Sequence, residues 1–261
     1  MTYWEGVALG VVQGLTEFLP ISSSGHLVLA EAALGLRTPG VIVEVAVHLA
    51  TLLAVVVVYR ETVFGLIVGC ARGRRDAWRM AALLVIGTLP AVGAALAFGG
   101  AIERSFDSIQ LVGVNLLVTG AILWSTRFRG SAGTDAHPSR KGAIAVGIAQ
   151  ALALLPGISR SGATVSSAIW LGVGPVQSAE FSFLLAIPAI LGAAILQTPE
   201  VATGVTAVGL GPLAASFTAA VVTGIFAIRF LVYLLRRGTF YHFAPYCWTV
   251  GLSTILWTML A

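Results

Sequence analysis

The chain is 261 residues long, 57% hydrophobic and only 10% charged, with a formal net charge of +4 at pH 7 and a mean hydropathy of +0.94. So much apolar surface excludes an ordinary soluble domain and places the chain among polytopic membrane proteins, whose helices each need about 20 apolar residues to cross a bilayer. The basic residues lie in short clusters between apolar runs, which orient a chain in a membrane and argue against nucleic acid as a partner, and Cys70 and Cys247 are too few for a disulfide framework.

No charged segment with a small-residue cleavage site precedes the first apolar run, so no removable signal peptide is expected. That run carries a helix from Glu5 to Glu17, breaks at Pro20 and the serines Ser22, Ser23 and Ser24, and resumes as a short piece from His26 to Leu36. Spans follow at Val41 to Tyr59, Met80 to Phe98 and Ile109 to Thr126. The broken segment then recurs. GVVQGLTEFLPISSSG, from Gly10 to Gly25, aligns without a gap on GIAQALALLPGISRSG, from Gly147 to Gly162, with identities that include Gln13/Gln150, Ile21/Ile158, Ser22/Ser159, Ser24/Ser161 and Gly25/Gly162. A second short piece, Ala163 to Val173, leads to spans at Ala179 to Gln197, Val205 to Leu235 and Phe243 to Leu260. Within the fifth, Gly209 to Pro212 is expected to lie outside the regular helix.

Neither short piece can cross alone, so each repeat reads as a re-entrant hairpin that enters and leaves on one side. The expected fold is an all-α polytopic membrane protein, six transmembrane helices plus two re-entrant helical hairpins, with an inverted-topology repeat. It is one membrane domain, 1–261, with repeats over 1–130 and 142–261, each a hairpin followed by three spans.

Charge supports this topology. With non-crossing hairpins, the loops 60–79, 127–141 and 236–242 share one side and carry eleven Arg or Lys residues, against Arg37 and Arg104 opposite. That asymmetry is what the positive-inside rule requires. Both termini are then outside, the basic loops are cytoplasmic, and three spans per half invert the second hairpin relative to the first. Their tips are expected to meet near the midplane.

The tips hold the polar chemistry. Twelve residues of helix rise about 18 Å, so Glu17, Ser22, Ser23, Ser24 and His26 lie deep from one side, and Ser159, Arg160 and Ser161 equally deep from the other. Charged residues at such depth face cavities and mark function. Gln13 and Glu17, four apart, share a helical face. Helix starts rich in hydroxyls favour anions, and an arginine adds planar bidentate donation, so the natural guest is a phosphate. The bland readings are serine caps, an interior histidine, and a Glu17–Arg160 ion pair that merely locks the hairpins. Glu44 and His48, a turn apart, and Glu180 also face inward, without an assigned role.

QGLTEFLPISSSGHL and PGISRSGAT resemble the two signatures of the undecaprenyl-diphosphate phosphatases of the bacitracin-resistance type, (E/Q)xxxE and PGxSRSxxT. Gln13 and Glu17 fit the first; Pro156, Gly157, Ser159, Arg160, Ser161 and Thr164 fit the second. The similarity continues through AVHLATLLAVVVVYRE, EFSFLLAIPAILGAAIL and FLVYLLRRGTFYHFAPY. It implies a multi-pass plasma-membrane hydrolase that removes the terminal phosphate of undecaprenyl diphosphate and recycles the carrier lipid for cell-wall synthesis, with a site reached from outside. Gln13 stands where many relatives have glutamate, which removes one anionic ligand.

The catalytic set expected on this basis is Glu17, Ser23, His26 and Arg160. Gln13, Ser22, Ser24, Ser159, Ser161, Gly162 and Thr164 bind substrate, and Glu17 holds a divalent cation, Mg2+ or Ca2+. Ser23 is the expected nucleophile with His26 as base; a second version makes His26 the nucleophile. The expected partners are a prenyl diphosphate lipid and the bilayer, with a homodimer left open. The reading from another class is a transporter or flippase of a phosphate-bearing lipid or other anion, which needs the cation and the helix ends but no nucleophile and base.

Overall fold

A computed structural model of the chain describes residues 1–34, 41–129, 137–196 and 208–260. The expected hairpin end at Leu36, Arg37, the span end at Gln197 and the span start at Val205 fall outside these. Every regular element among the described residues is helical, as lipid demands of a chain that must satisfy its backbone internally.

The first broken segment forms α1 (Tyr3–Phe18) and α2 (Ser23–Leu34). Thr2 and Glu5 close a capping box at the start of α1. The next helices are α3 (Val41–Val58), α4 (Arg60–Ala71), α5 (Arg75–Ser105) and α6 (Ile109–Ser125), the last continued by a 3-10 turn over Thr126–Arg129. The second broken segment gives α7 (Arg140–Leu152) and α8 (Arg160–Trp170), followed by α9 (Pro175–Leu196), α10 (Leu210–Arg236) and α11 (Phe243–Leu260).

By length and apolarity α5, α6, α9 and α10 can cross a membrane, and the pair α3 and α4, bent by 83°, makes a fifth if counted as one. The expected sixth, Phe243–Leu260, forms a helix of 18 residues, but its Pro245, Trp and Thr residues leave it outside that set. Two expectations are corrected. The stretch 60–79, read as a loop, is helical over Arg60–Ala71 and again from Arg75, and the half-turned α4 exposes Phe64 and Ile67 as an interfacial helix would. Leu210 to Pro212 lie inside α10, because a proline in the first turn gives up no intrahelical bond.

Packing places the two breaks side by side. α1 lies along α10, α7 along α5, and α6 along α11, while α3 touches both α10 and α9. Small residues allow the close approaches: a methyl group at Gly6 would stand 2.5 Å from the Pro212 carbonyl, and Gly10 and Gly14 face the next two turns of α10. Phe18, Phe183, Leu123 and Leu231 fill the main core cluster beside the breaks.

Candidate active site

Each break is a turn held by its neighbours. Ser22 has φ +70° and Gly157 φ +91°, and a left-handed non-glycine residue persists only where its surroundings fix it. The Ser22 hydroxyl accepts the Gly157 N–H at 3.1 Å across the two hairpins, and the Gly25 N–H at 3.3 Å. A methyl group at Gly25 would meet the Gly157 Cα at 3.1 Å. The apexes are therefore in contact.

From opposite breaks, Glu17 and Arg160 form an ion pair through Glu17 Oε1 and Arg160 Nη2. Glu17 Oε2 accepts from Ser23 Oγ at 2.5 Å and from Gln13 Nε2 at 2.9 Å. Both helix starts, Ser23 of α2 and Arg160 of α8, thus converge on one carboxylate. Beside it opens a cavity of about 220 Å³ lined by Glu17, Ser23, Ser24, Ser159 and Arg160 together with apolar side chains such as Ile190. This combination of a cation, hydroxyls and a carboxylate can grip an anion at one end while an apolar wall receives a chain at the other.

The other expected site residues serve the walls. Ser159 Oγ caps α8 by accepting the Gly162 N–H at 3.0 Å and lies 3.2 Å from Ser161 Oγ, which reaches the Leu19 carbonyl. Thr164 Oγ1, fully buried, donates to the Arg160 carbonyl at 2.7 Å and lies 2.6 Å from Ser182 Oγ. Gln13, Ser22, Ser161, Gly162 and Thr164 do not line the cavity.

His26 is not the partner of Ser23. Its Nδ1 lies 2.8 Å from the Ser22 carbonyl, so it carries the proton, and its Nε2 is 2.8 Å from the Tyr246 hydroxyl, against whose ring it stacks. Ser23 Oγ bonds the Glu17 carboxylate, while both ring nitrogens of His26, the expected base, are engaged elsewhere.

His48 and Glu44 do line the cavity. His48 Nδ1 donates to the Glu44 carbonyl at 2.8 Å, which turns Nε2 toward Glu17 Oε2 at 3.8 Å. Sequence reasoning also passed over Asn115 and Thr119, which hold the second break from α6: Asn115 Nδ2 donates to the Pro156 carbonyl at 2.7 Å and Thr119 Oγ1 to the Gly157 carbonyl at 2.8 Å. Two polar residues four apart in an apolar span were the available signal.

For a resident cation the donors are thin. Among the described residues no three His, Cys, Asp or Glu side chains converge. Both Glu17 oxygens are engaged, and the unpartnered Gln13 Oε1 is buried away from the cavity. The side chains do not make a metal cage of their own.

Fold and site together define a helical membrane protein with a buried Glu17–Arg160 centre where two broken segments meet. Residues 6–253 match the family described as bacitracin resistance protein BacA. The undecaprenyl-diphosphatase of Desulfosudis oleivorans is 43% identical over 269 residues, covering 97% of each chain. That of Carboxydothermus hydrogenoformans is 38% identical, with 98% of this chain and 97% of the relative covered; that of Korarchaeum cryptofilum is 39% identical, with 96% and 97% covered. The chain belongs to the BacA family.

Proposed function

We infer that this protein hydrolyses the terminal phosphate of undecaprenyl diphosphate, giving undecaprenyl phosphate and inorganic phosphate. It is an undecaprenyl-diphosphatase, as its full-length relatives are named. The observation that carries the reading is the convergence of Arg160, Ser23 and Glu17, from two different hairpins, on one cavity with an apolar wall.

The chemistry proceeds from these contacts. Arg160 exchanges its carboxylate for the terminal phosphate, to which a guanidinium offers two parallel N–H donors. This frees Glu17 to take the proton of the Ser23 hydroxyl already bonded to it. Ser23 Oγ attacks phosphorus in line, the bond to the bridging oxygen breaks, and undecaprenyl phosphate leaves as a stable anion. Water then cleaves the phosphoserine and the Ser23 proton returns. Ser24 and Ser159 donate to the phosphate oxygens, while His26 acts as a positioning residue that holds the Ser22 turn. A Mg2+ or Ca2+ ion would have Glu17 as its protein ligand and would supply neutralisation of phosphate charge.

The finer architecture is part of the same reading: six spans and two re-entrant hairpins, arranged as inverted repeats over 1–130 and 142–261. Its support is reciprocal packing, since each hairpin's first helix lies on the middle span of the other half, α1 on α10 and α7 on α5, while the last spans, α6 and α11, pair. The basic loops are cytoplasmic, the termini are outside, and the cavity is reached from the outer side.

The test is phosphate release from undecaprenyl diphosphate by purified protein in detergent. Wild type is expected to turn over and Arg160→Ala to fall to background with normal expression. Comparable rates in the two would overturn the assignment of the site.

A further inference from the structure

A second cavity, of about 210 Å³, lies away from the active site where the 3-10 turn after α6 meets the turn after α10, lined by Thr126, Arg127, Arg237 and Tyr241 over an apolar floor of Leu235 and Phe240. Nothing in the hydrolysis uses it.

Its two arginines, like Arg129 over the Trp170 ring at 4.7 Å, are held by aromatic faces and not by carboxylates. Arg74 points its edge at Asp76 through bonds of 2.5 and 3.2 Å, Arg60 lies 3.8 Å from Glu61, and Arg160 is paired with Glu17. Arg127 instead lays its face between the Trp124 and Phe128 rings, at 4.3 and 4.4 Å, and Arg237 lies over Tyr233 at 4.4 Å. A stacked guanidinium is fixed through its face and keeps its in-plane N–H donors. Among the described residues no carboxylate lines this cavity or pairs with either arginine. Two pre-positioned cations with no carboxylate partner among the described residues, beside the Thr126 and Tyr241 side chains, match a phosphate group.

We propose that Arg127 and Arg237 form a binding site for an anionic phosphate at the basic end of the molecule, supplied by a phospholipid headgroup or by free phosphate. The guanidinium edges and the Tyr241 hydroxyl donate to the phosphate oxygens.

Native mass spectrometry of the detergent-purified full chain tests this with phosphatidylglycerol, phosphatidylcholine and inorganic phosphate as probes. Wild type is expected to retain phosphatidylglycerol over phosphatidylcholine by about tenfold, the order of effect two arginines have on an anionic lipid. Arg127→Gln/Arg237→Gln loses that preference and leaves undecaprenyl diphosphate hydrolysis within about twofold, since neither residue touches the catalytic centre. Arg72→Gln/Arg75→Gln, an equal loss of charge, keeps the preference. Competition by inorganic phosphate assigns the site to the phosphate group itself, whereas its absence assigns it to the lipid phosphodiester. Equal retention of the two lipids by wild type, or an equal loss in the Arg72/Arg75 variant, would overturn the proposal.

Discussion

The Glu17–Arg160 pair can be either a lock between hairpins or a poised phosphate clamp, and a neutral double variant separates the two. Arg160 is 19% exposed and Glu17 5%, so removing one partner strands a mostly buried charge. Such losses cost about 3–5 kcal/mol in a dry interior. Here a fifth of the Arg160 side chain meets solvent and Glu17 keeps its bonds from Ser23 and Gln13, which reduces the cost to about 2–3 kcal/mol. In a chain of this size that lowers Tm by about 5–10 °C. Arg160→Met and Glu17→Gln should each show such a drop in thermal unfolding in detergent, and Glu17→Gln/Arg160→Met should recover most of it, because no charge remains unpaired. Turnover behaves otherwise. Each single variant loses about a hundredfold to a thousandfold in phosphate release, the scale of one lost electrostatic contact to a transition state, and the double variant does not regain it. Recovery of turnover together with Tm in the double variant would refute the clamp and leave only the lock.

Ser23→Ala should reduce turnover by at least about a hundredfold, with rapid-quench labelling giving a phosphoserine in wild type only; His26→Phe, which keeps the stacking on Tyr246, should cost less than Ser23→Ala, and the reverse order would return the nucleophile to His26. Gly157→Ala forces a side chain into φ +91° with its Cβ 2.5 Å from the Val112 carbonyl and 2.7 Å from Asn115 Cβ, so about 2–5 kcal/mol of stability is expected to go, visible as a lower Tm; an unchanged Tm would contradict the tight contact of break and α6. An ion carried on the diphosphate implies that the midpoint of Mg2+ activation after chelation shifts with substrate concentration, and a midpoint fixed at all substrate concentrations would indicate a resident protein site instead.

Much of this arrangement was legible because repeats and helical spacing survive in one dimension. The match of Gly10–Gly25 to Gly147–Gly162 located both breaks, and the spacing of Gln13 and Glu17 put them on one helical face, where the structure bonds them. That Ser23 bonds Glu17 and not His26 was illegible for the opposite reason. Proximity along the chain favours His26, yet Tyr246, 220 residues later, binds its Nε2, and no local pattern reports so distant a partner. The 83° bend between α3 and α4 was equally hidden, because neither glycine nor proline marks Tyr59. His48 was seen to face inward, but its approach to Glu17 depends on how α3 is rotated against α1, which periodicity alone does not fix.

Breaking two helices at membrane depth releases backbone groups that lipid cannot satisfy, and this requirement divides the polar residues of the motifs into two sets. Asn115, Thr119, Ser22, Ser161 and the Cys247 thiol meet the carbonyls and N–H groups of 157, 156, 19 and 20, and Ser159 closes the start of α8. Ser23, Ser24, Glu17 and Arg160 are left facing the cavity, and Ser159 does both, closing α8 and lining the cavity. Asn115→Leu and Thr119→Val should therefore act on stability: each strands a buried carbonyl, at about 1–3 kcal/mol, and lowers Tm while KM and turnover measured well below Tm stay within a fewfold of wild type. If either variant stays folded at the assay temperature yet loses turnover as steeply as Arg160→Met, the α6 residues act on the reaction itself, and the division between groups that close the break and groups that serve the substrate does not hold.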